Sequence, residues 1–212
     1  MVGVRIYVEG GGDSKEEKIR CRQGFRKLLE KSGFAGQMPG ITACGGRESV
    51  YQAFCTAISA RGRQDLYPIL LVDSEDPVQN ADDDPDSPAA WTHLESRDGW
   101  ARPNRVNPDQ AQLMVTCMET WIMADRDALK SVFGAALQQN ALLSLDSLEG
   151  RNRHEVQDAL EHATRNCGWD RAYRKGRRSF QVLERLSPAV LASHLTHFRR
   201  LKRTLEQYGL PS

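Results

Sequence analysis

The chain has 212 residues, 40% of them hydrophobic, and its 29 basic side chains nearly balance 28 acidic ones for a formal charge of +1. That length supports one sizeable core, and the balance excludes a uniformly basic surface of the kind that coats nucleic acid. Cys21, Cys44, Cys55, Cys117 and Cys167 are odd in number and contain no C-x-x-C pair, which excludes a disulfide framework or zinc knuckle and fits a reducing cytoplasm.

The opening MVGVRIYVEGGGDS is too short an apolar stretch for a leader or a spanning helix, and no later segment reaches that length either, so no membrane association is expected. Residues 2–8 are β-branched and stop at a glycine cluster, the pattern of a buried strand entering a tight turn. Residues 15–31 place Ile19, Phe25, Leu28 and Leu29 at helical spacing, with Gly33 as a stop. Residues 40–45 predict a short strand, and residues 47–60 a helix through Val50, Phe54 and Ile58. The continuous apolar run 67–72, ending in Asp73, predicts a strand covered on both faces of a parallel sheet.

Residues 74–107 carry Pro77, Pro85, Pro88, Pro103 and Asp82-Asp83-Asp84 with neither period, and read as a long loop or flap. A strand over 112–117 and a helix over 119–133 complete a fourth βα unit. The remainder predicts helices over 153–167 and 179–186, then a last one opened by Ser187 as N-cap and Pro188. The fold class is therefore α/β, with a mostly parallel sheet of about four strands, helices on both faces and a helical C-terminal extension. We divide the chain into a core over 1–135, with 74–107 as insertion, and an extension over 136–212 packed on it.

In such sheets ligands sit beyond the carboxyl ends of the strands, and here those ends carry acids. Glu9 follows the first strand, and Asp73 and Glu75 follow the third; period-two alternation points the last two the same way if the strand continues. Like charges gathered at one edge call for a hard divalent cation with oxygen ligands, Mg²⁺ or Mn²⁺. Asp13, Asp76 and Glu119 are placed to join them. Glu119 reads either as a metal ligand or as a first-turn acid favoured by the helix dipole. Single acids at strand ends are commonly just solvated; three at matched ends are harder to dismiss.

Glu9-Gly10-Gly11-Gly12-Asp13 after the first strand, with Asp73-Ser74-Glu75 after an apolar strand, resembles the Toprim fold of topoisomerases, primases and related nucleases. More closely, VEGGGDS, LLVDSE, CMETWIMAD and Tyr173-Arg174-Lys175-Gly176 together resemble a bacterial Toprim-like family, domain-of-unknown-function family 4276, itself similar to RloB-type proteins. Members of that family often occur beside ABC-type ATPases in phage-defence gene clusters. The resemblance spans nearly the whole chain. It departs from the broader Toprim pattern where Glu75 replaces the usual second aspartate. It implies Glu9 as general acid/base, Asp73 and Glu75 as Mg²⁺ ligands, Lys175 as a stabiliser of phosphorane charge, and phosphodiester cleavage in DNA or RNA with an ATPase partner. The alternative from another class is a non-catalytic binding subunit of an ATPase complex, favoured by a closed acidic edge.

Between 165 and 178, Arg165, Arg171, Arg174, Lys175, Arg177 and Arg178 face one acid, Asp170, with Trp169, Tyr173 and Phe180 interleaved or adjacent. The strip suits a phosphate backbone, with Arg171, Arg174, Arg177 and Arg178 as contacts, or equally a solvated or protein-docking surface. Gly10-Gly11-Gly12 lacks a following Gly-Lys-Ser/Thr and reads as a tight turn rather than a nucleotide loop. His194 and His197 share a helical face in this reading, with packing as the expected role rather than metal binding.

Overall fold

Apolar residues that alternate between two sides of a sheet set the architecture. The computed structural model describes residues 3–60, 66–168 and 172–209. In chain order it runs β1 (Gly3–Glu9), α1 (Lys15–Leu29), β2 (Gly40–Gly45), α2 (Arg47–Ser59), β3 (Leu66–Asp73), α3 (Ala89–Asp98), β4 (Ala111–Met114), α4 (Met118–Ala124), α5 (Arg126–Phe133), α6 (Arg153–Thr164), α7 (Arg177–Leu183), α8 (Pro188–His194) and α9 (Thr196–Gly209). The four strands pair in the order β2-β1-β3-β4, all parallel. Among the described residues no helix is long and apolar enough to cross a membrane.

Period two explains the layers. Ile6 and Val8 of β1, with Ile69 and Leu71 of β3, face a core built from α1, α4 and the later helices, including Leu160, Leu183 and Leu201. Tyr7, Leu70 and Val72 face the other way, onto Val50 and Phe54 of α2 and Trp91 and Leu94 of α3. The segment after residue 135 thus shares its core with the sheet. Gly24 of α1 lets α7 approach closely, since a Cβ there would lie 2.9 Å from Leu183 Cδ2.

Three boundaries differ from the sequence reading. The stretch 74–107 contains α3, whose apolar side is only Ala90, Trp91 and Leu94, capped by Gly99 at φ 72 with its N–H on the carbonyls of Glu95 and Leu94. The helix expected over 119–133 breaks at Asp125, which is extended; its Oδ1 caps α5 through Ala128 N (2.9 Å) and its Oδ2 accepts from Ser187 N (2.7 Å). The last helix breaks at Leu195, where Glu149 accepts from the N–H groups of Thr196 (2.9 Å) and His197 (3.1 Å). His194 and His197 therefore lie on different helices, His194 exposed and His197 buried against Glu149, and they share no face.

The glycine turn after β1 is held by a two-bond bridge, Gly10 N to Gly45 O (2.8 Å) and Gly45 N to Gly10 O (3.0 Å). Gly45 has φ +87, and a Cβ there would lie 2.7 Å from the Gly12 carbonyl. We expect Gly45→Ala to cost about 2 kcal/mol in urea unfolding, from left-handed strain plus the backbone clash, whereas Gly36→Ala, with open space around it, stays within about 0.5 kcal/mol.

Candidate metal centre

Strand order places the site. The chain leaves β1 for β2 on one side and returns to β3 on the other, so β1 and β3 are adjacent and their carboxyl ends open the crevice where such sheets bind ligands. Glu9 ends β1 and Asp73 ends β3. One carboxylate oxygen from each of Glu9, Asp73 and Glu75 lies within 4.8 Å of the others. The third acid arrives by a turn, not by strand alternation. The strand stops at Asp73, and Glu75 takes the left-handed region at φ 69 while its N–H bonds the Thr116 carbonyl at 2.7 Å. A non-glycine residue in that region is uncommon, and such positions concentrate at functional sites.

Each carboxylate is oriented. Asp73 Oδ1 accepts the Met118 N–H at the start of α4 (2.8 Å), leaving Oδ2 toward Lys175 Nζ at 4.0 Å. Glu9 Oε2 accepts from Asp73 N–H (3.2 Å) and from Arg47 Nη1 (3.3 Å), and the same Arg47 nitrogen donates to the Asp73 carbonyl. Glu75 Oε2 lies 3.7 Å from Arg97 Nη2 and also meets Arg153. That oxygen is buried and faces both guanidinium groups.

Burial governs the charges. It lifts the Asp73 pKa well above the aspartate range, reinforced by the charges of Glu9 and Glu119 and opposed by Lys175 and the Met118 N–H. It lifts Glu9 as well, with Arg47, the Asp73 N–H and Lys175 pulling back without cancelling it. For Lys175 burial works against the ammonium, but Glu119 and Asp73 outweigh it and raise its pKa, so the side chain stays charged.

A donor set of three carboxylates, all oxygen, fits a hard divalent cation. Glu9 and Asp73, but not Glu75, line a cleft of about 350 Å³ together with Gly10, Gly11, Asp13, Gly45, Lys175 and Phe180 among others.

The remaining sequence candidates fall elsewhere. Asp13 borders the cleft; Asp76 pairs with Arg97 Nε at 3.1 Å. Glu119 is fully buried outside the three-acid cluster. Its Oε1 accepts the Tyr173 hydroxyl at 2.6 Å, and its charge acts on Asp73 and Lys175. Burial beside Glu119 raises the Tyr173 pKa, which keeps the hydroxyl a donor. Arg174 is exposed, and Arg178 donates to Gln181 Oε1 at 2.6 Å. Arg177 begins α7, its side chain outside the described residues, as is Arg171 altogether.

Sequence reasoning missed Arg47, Arg97, Asp98 and Arg153. Arg47 and Arg153 each begin a helix, where the macrodipole disfavours a cation; that mismatch is the signal, and a nearby carboxylate is its resolution.

Fold and site together define an α/β protein of the parallel-sheet class with an acidic crevice at its strand switch point. The chain belongs to the family described as Domain of unknown function (DUF4276), whose family model matches residues 8–206. No curated protein and no solved structure matches it.

Proposed function

We propose that the protein is a metal-dependent, Toprim-like nuclease that cleaves phosphodiester bonds in nucleic acid, acting in the cytoplasm as an effector of bacterial anti-phage defence with an ABC-type ATPase. The observation that carries the chemistry is the convergence of Glu9, Asp73 and Glu75 within 4.8 Å beside an open cleft. An open cleft also favours catalysis over docking through a closed edge. The defence setting and the ATPase rest on the motif resemblance.

Asp73 Oδ2, Glu75 and Glu9 would hold Mg²⁺ or Mn²⁺, which when bound supplies Lewis-acid polarisation of a phosphoryl oxygen. The protein's own groups do the rest. Glu9 has a raised pKa and is held by Arg47 and the Asp73 N–H, so it suits proton transfer at the attacking or leaving oxygen. Lys175 places a permanent ammonium 4.0 Å from Asp73, where it neutralises charge building on the phosphoryl oxygens. Gly10, Gly11 and Gly45 leave their part of the cleft wall without side chains.

The test incubates wild type and Glu9→Gln, alone and with an ABC-type ATPase from the same gene cluster, with Mg²⁺ or Mn²⁺ and plasmid, single-stranded DNA or tRNA. We expect metal-dependent cleavage by wild type and a loss of about 100-fold or more in Glu9→Gln. Equal rates would remove Glu9 from proton transfer. Absence of metal-dependent cleavage under every condition would end the nuclease reading.

A further inference from the structure

The arginines around the acids raise a question of charge. Arg47 and Arg97 reach two of the three candidate metal ligands, and a guanidinium paired with a carboxylate competes with a cation for it. Both arginines share a second partner, Asp98, the last residue of α3. Arg47 makes two bonds to Asp98, Nη2 to Oδ2 at 2.5 Å and Nε to Oδ1 at 3.0 Å, but only reaches Glu9 at 3.3 Å. Arg97 repeats the pattern, with Nη1 2.6 Å from Asp98 Oδ1 and Nη2 3.7 Å from Glu75 Oε2. Between Asp98 and the candidate-ligand carboxylate, each arginine makes its shorter contact to Asp98; Arg47 Nη1 also donates to the Asp73 carbonyl, and Arg97 Nε pairs with Asp76 at 3.1 Å.

We infer that Asp98 is a positioning residue that draws Arg47 and Arg97 off Glu9 and Glu75, and so keeps those carboxylates available to a divalent cation. The inference rests on the metal-site reading above. Three features support it. Asp98 has an 11% exposed side chain, so its attraction for the two guanidiniums is little screened. Burial works against its charge, but Arg47 and Arg97 outweigh it and hold its pKa below the usual aspartate range, so it is ionised wherever the site works. The neighbouring Gly99 cap fixes the end of α3 through two backbone bonds, and Trp100 beyond it stacks on Tyr51 at 4.2 Å while Arg47 lies 5.0 Å over its ring. The carboxylate and the guanidinium it attracts are thus anchored by separate packing.

Arg153 contacts Glu75 from α6, independently of Asp98. The segment expected to be a structureless flap therefore supplies the counter-charge on one side of the site.

Without the Asp98 charge, Arg47 retains Glu9 as its acid partner and Arg97 retains Asp76 and Glu75, so a cation must displace a guanidinium to reach Glu9 and Glu75. Titration calorimetry with MnCl₂ on the full chain tests this directly. We expect Asp98→Asn to weaken Mn²⁺ binding about 10–100-fold relative to wild type, the range for removing a residue that orients metal ligands. The double variant Asp98→Asn/Arg97→Gln should regain much of the loss, because a freed competitor is gone; a general structural defect would not be repaired by a second deletion. Arg97→Gln alone, useful if Asp98→Asn folds poorly, should bind Mn²⁺ at least as tightly as wild type.

Unchanged affinity in Asp98→Asn, a double variant as weak as the single one, or weakened binding in Arg97→Gln would each overturn the inference while wild-type binding left the metal site standing. Wild type that takes up no Mn²⁺ would overturn the metal site itself, and this inference with it.

Discussion

Asp73→Asn is expected to abolish metal-dependent cleavage, by about a thousandfold or more, and at the same time to make the metal-free protein more stable. The two effects share one cause. Asp73 is 5% exposed and sits near two other carboxylates, so burial, Glu9 and Glu119 all disfavour its charge. The isosteric amide keeps an oxygen for the Met118 N–H but removes the charge a cation needs.

The pH dependence follows with a definite sign. Below the ordinary aspartate value near 3.8 both folded and unfolded chains carry the proton, and Asp73 imposes no penalty. As pH rises from there toward the raised folded value, the unfolded chain ionises first, and stability falls. Glu9 acts in the same direction. Thermal melts without metal should therefore show wild type losing stability from mildly acidic to neutral pH, with a shallower loss in Asp73→Asn. At neutral pH the variant should melt on the order of 2–4 °C higher. Added Mn²⁺ should stabilise wild type and leave the variant unmoved. A variant that melts lower than wild type without metal, or that retains cleavage, would refute the placement of charge at this site.

Much of this site was legible in the residues because its cause is periodic and local. The strand ending in Asp73 shows as an unbroken apolar run, and the strand ending in Glu9 as a β-branched run cut by glycines; the parallel order then puts both acids on one edge. Glu75 was named for a different reason from the one that places it. The alternation argument needs the strand to continue, and what brings the carboxylate in is a left-handed turn tied to Thr116.

The arginines were illegible for a physical reason. Arg47 is 51 residues from Asp98 and 38 from Glu9 in sequence, and an ion pair over such a span leaves no periodicity to read. α3 escaped because ten residues with three buried apolar side chains give a weak helical pattern between prolines. The break at Asp125 depends on the distant Ser187 N–H and the break at Leu195 on the distant Glu149 side chain, and only tertiary structure reveals those partners.

Arg200→Met is expected to destabilise the protein by about 3–5 kcal/mol, the cost of leaving several buried carbonyls without donors at roughly 1–3 kcal/mol each, and so to remove a large part of a typical domain's stability. Arg200 of α9 is 2% exposed. Its guanidinium donates to the carbonyls of Asp84, Pro85, Ser87, Pro108 and Ala111 at 2.6–3.1 Å. Methionine fills similar volume but leaves those acceptors buried without donors, and each unmet acceptor carries its own desolvation cost. Lysine restores a charge and up to three donors but lacks the planar fork, so Arg200→Lys should lose roughly half as much.

The consequence reaches the site, because the same helix holds the entry to α3. Arg199 and Arg203 pair with Asp83 at 3.0 and 2.8 Å, and Arg200 fixes the carbonyls from Asp84 to Ser87 just before α3 begins. The far end of α3 presents Arg97 and Asp98 to Glu75 and Arg47. Urea unfolding gives the global loss, and hydrogen exchange should show faster opening over residues 84–111 in Arg200→Lys, with Mn²⁺ affinity falling in step. A loss below about 1 kcal/mol in Arg200→Met would mean that the carbonyls find water or other donors, and that the packing of Trp91 and Leu94 in the core suffices to hold α3 in place.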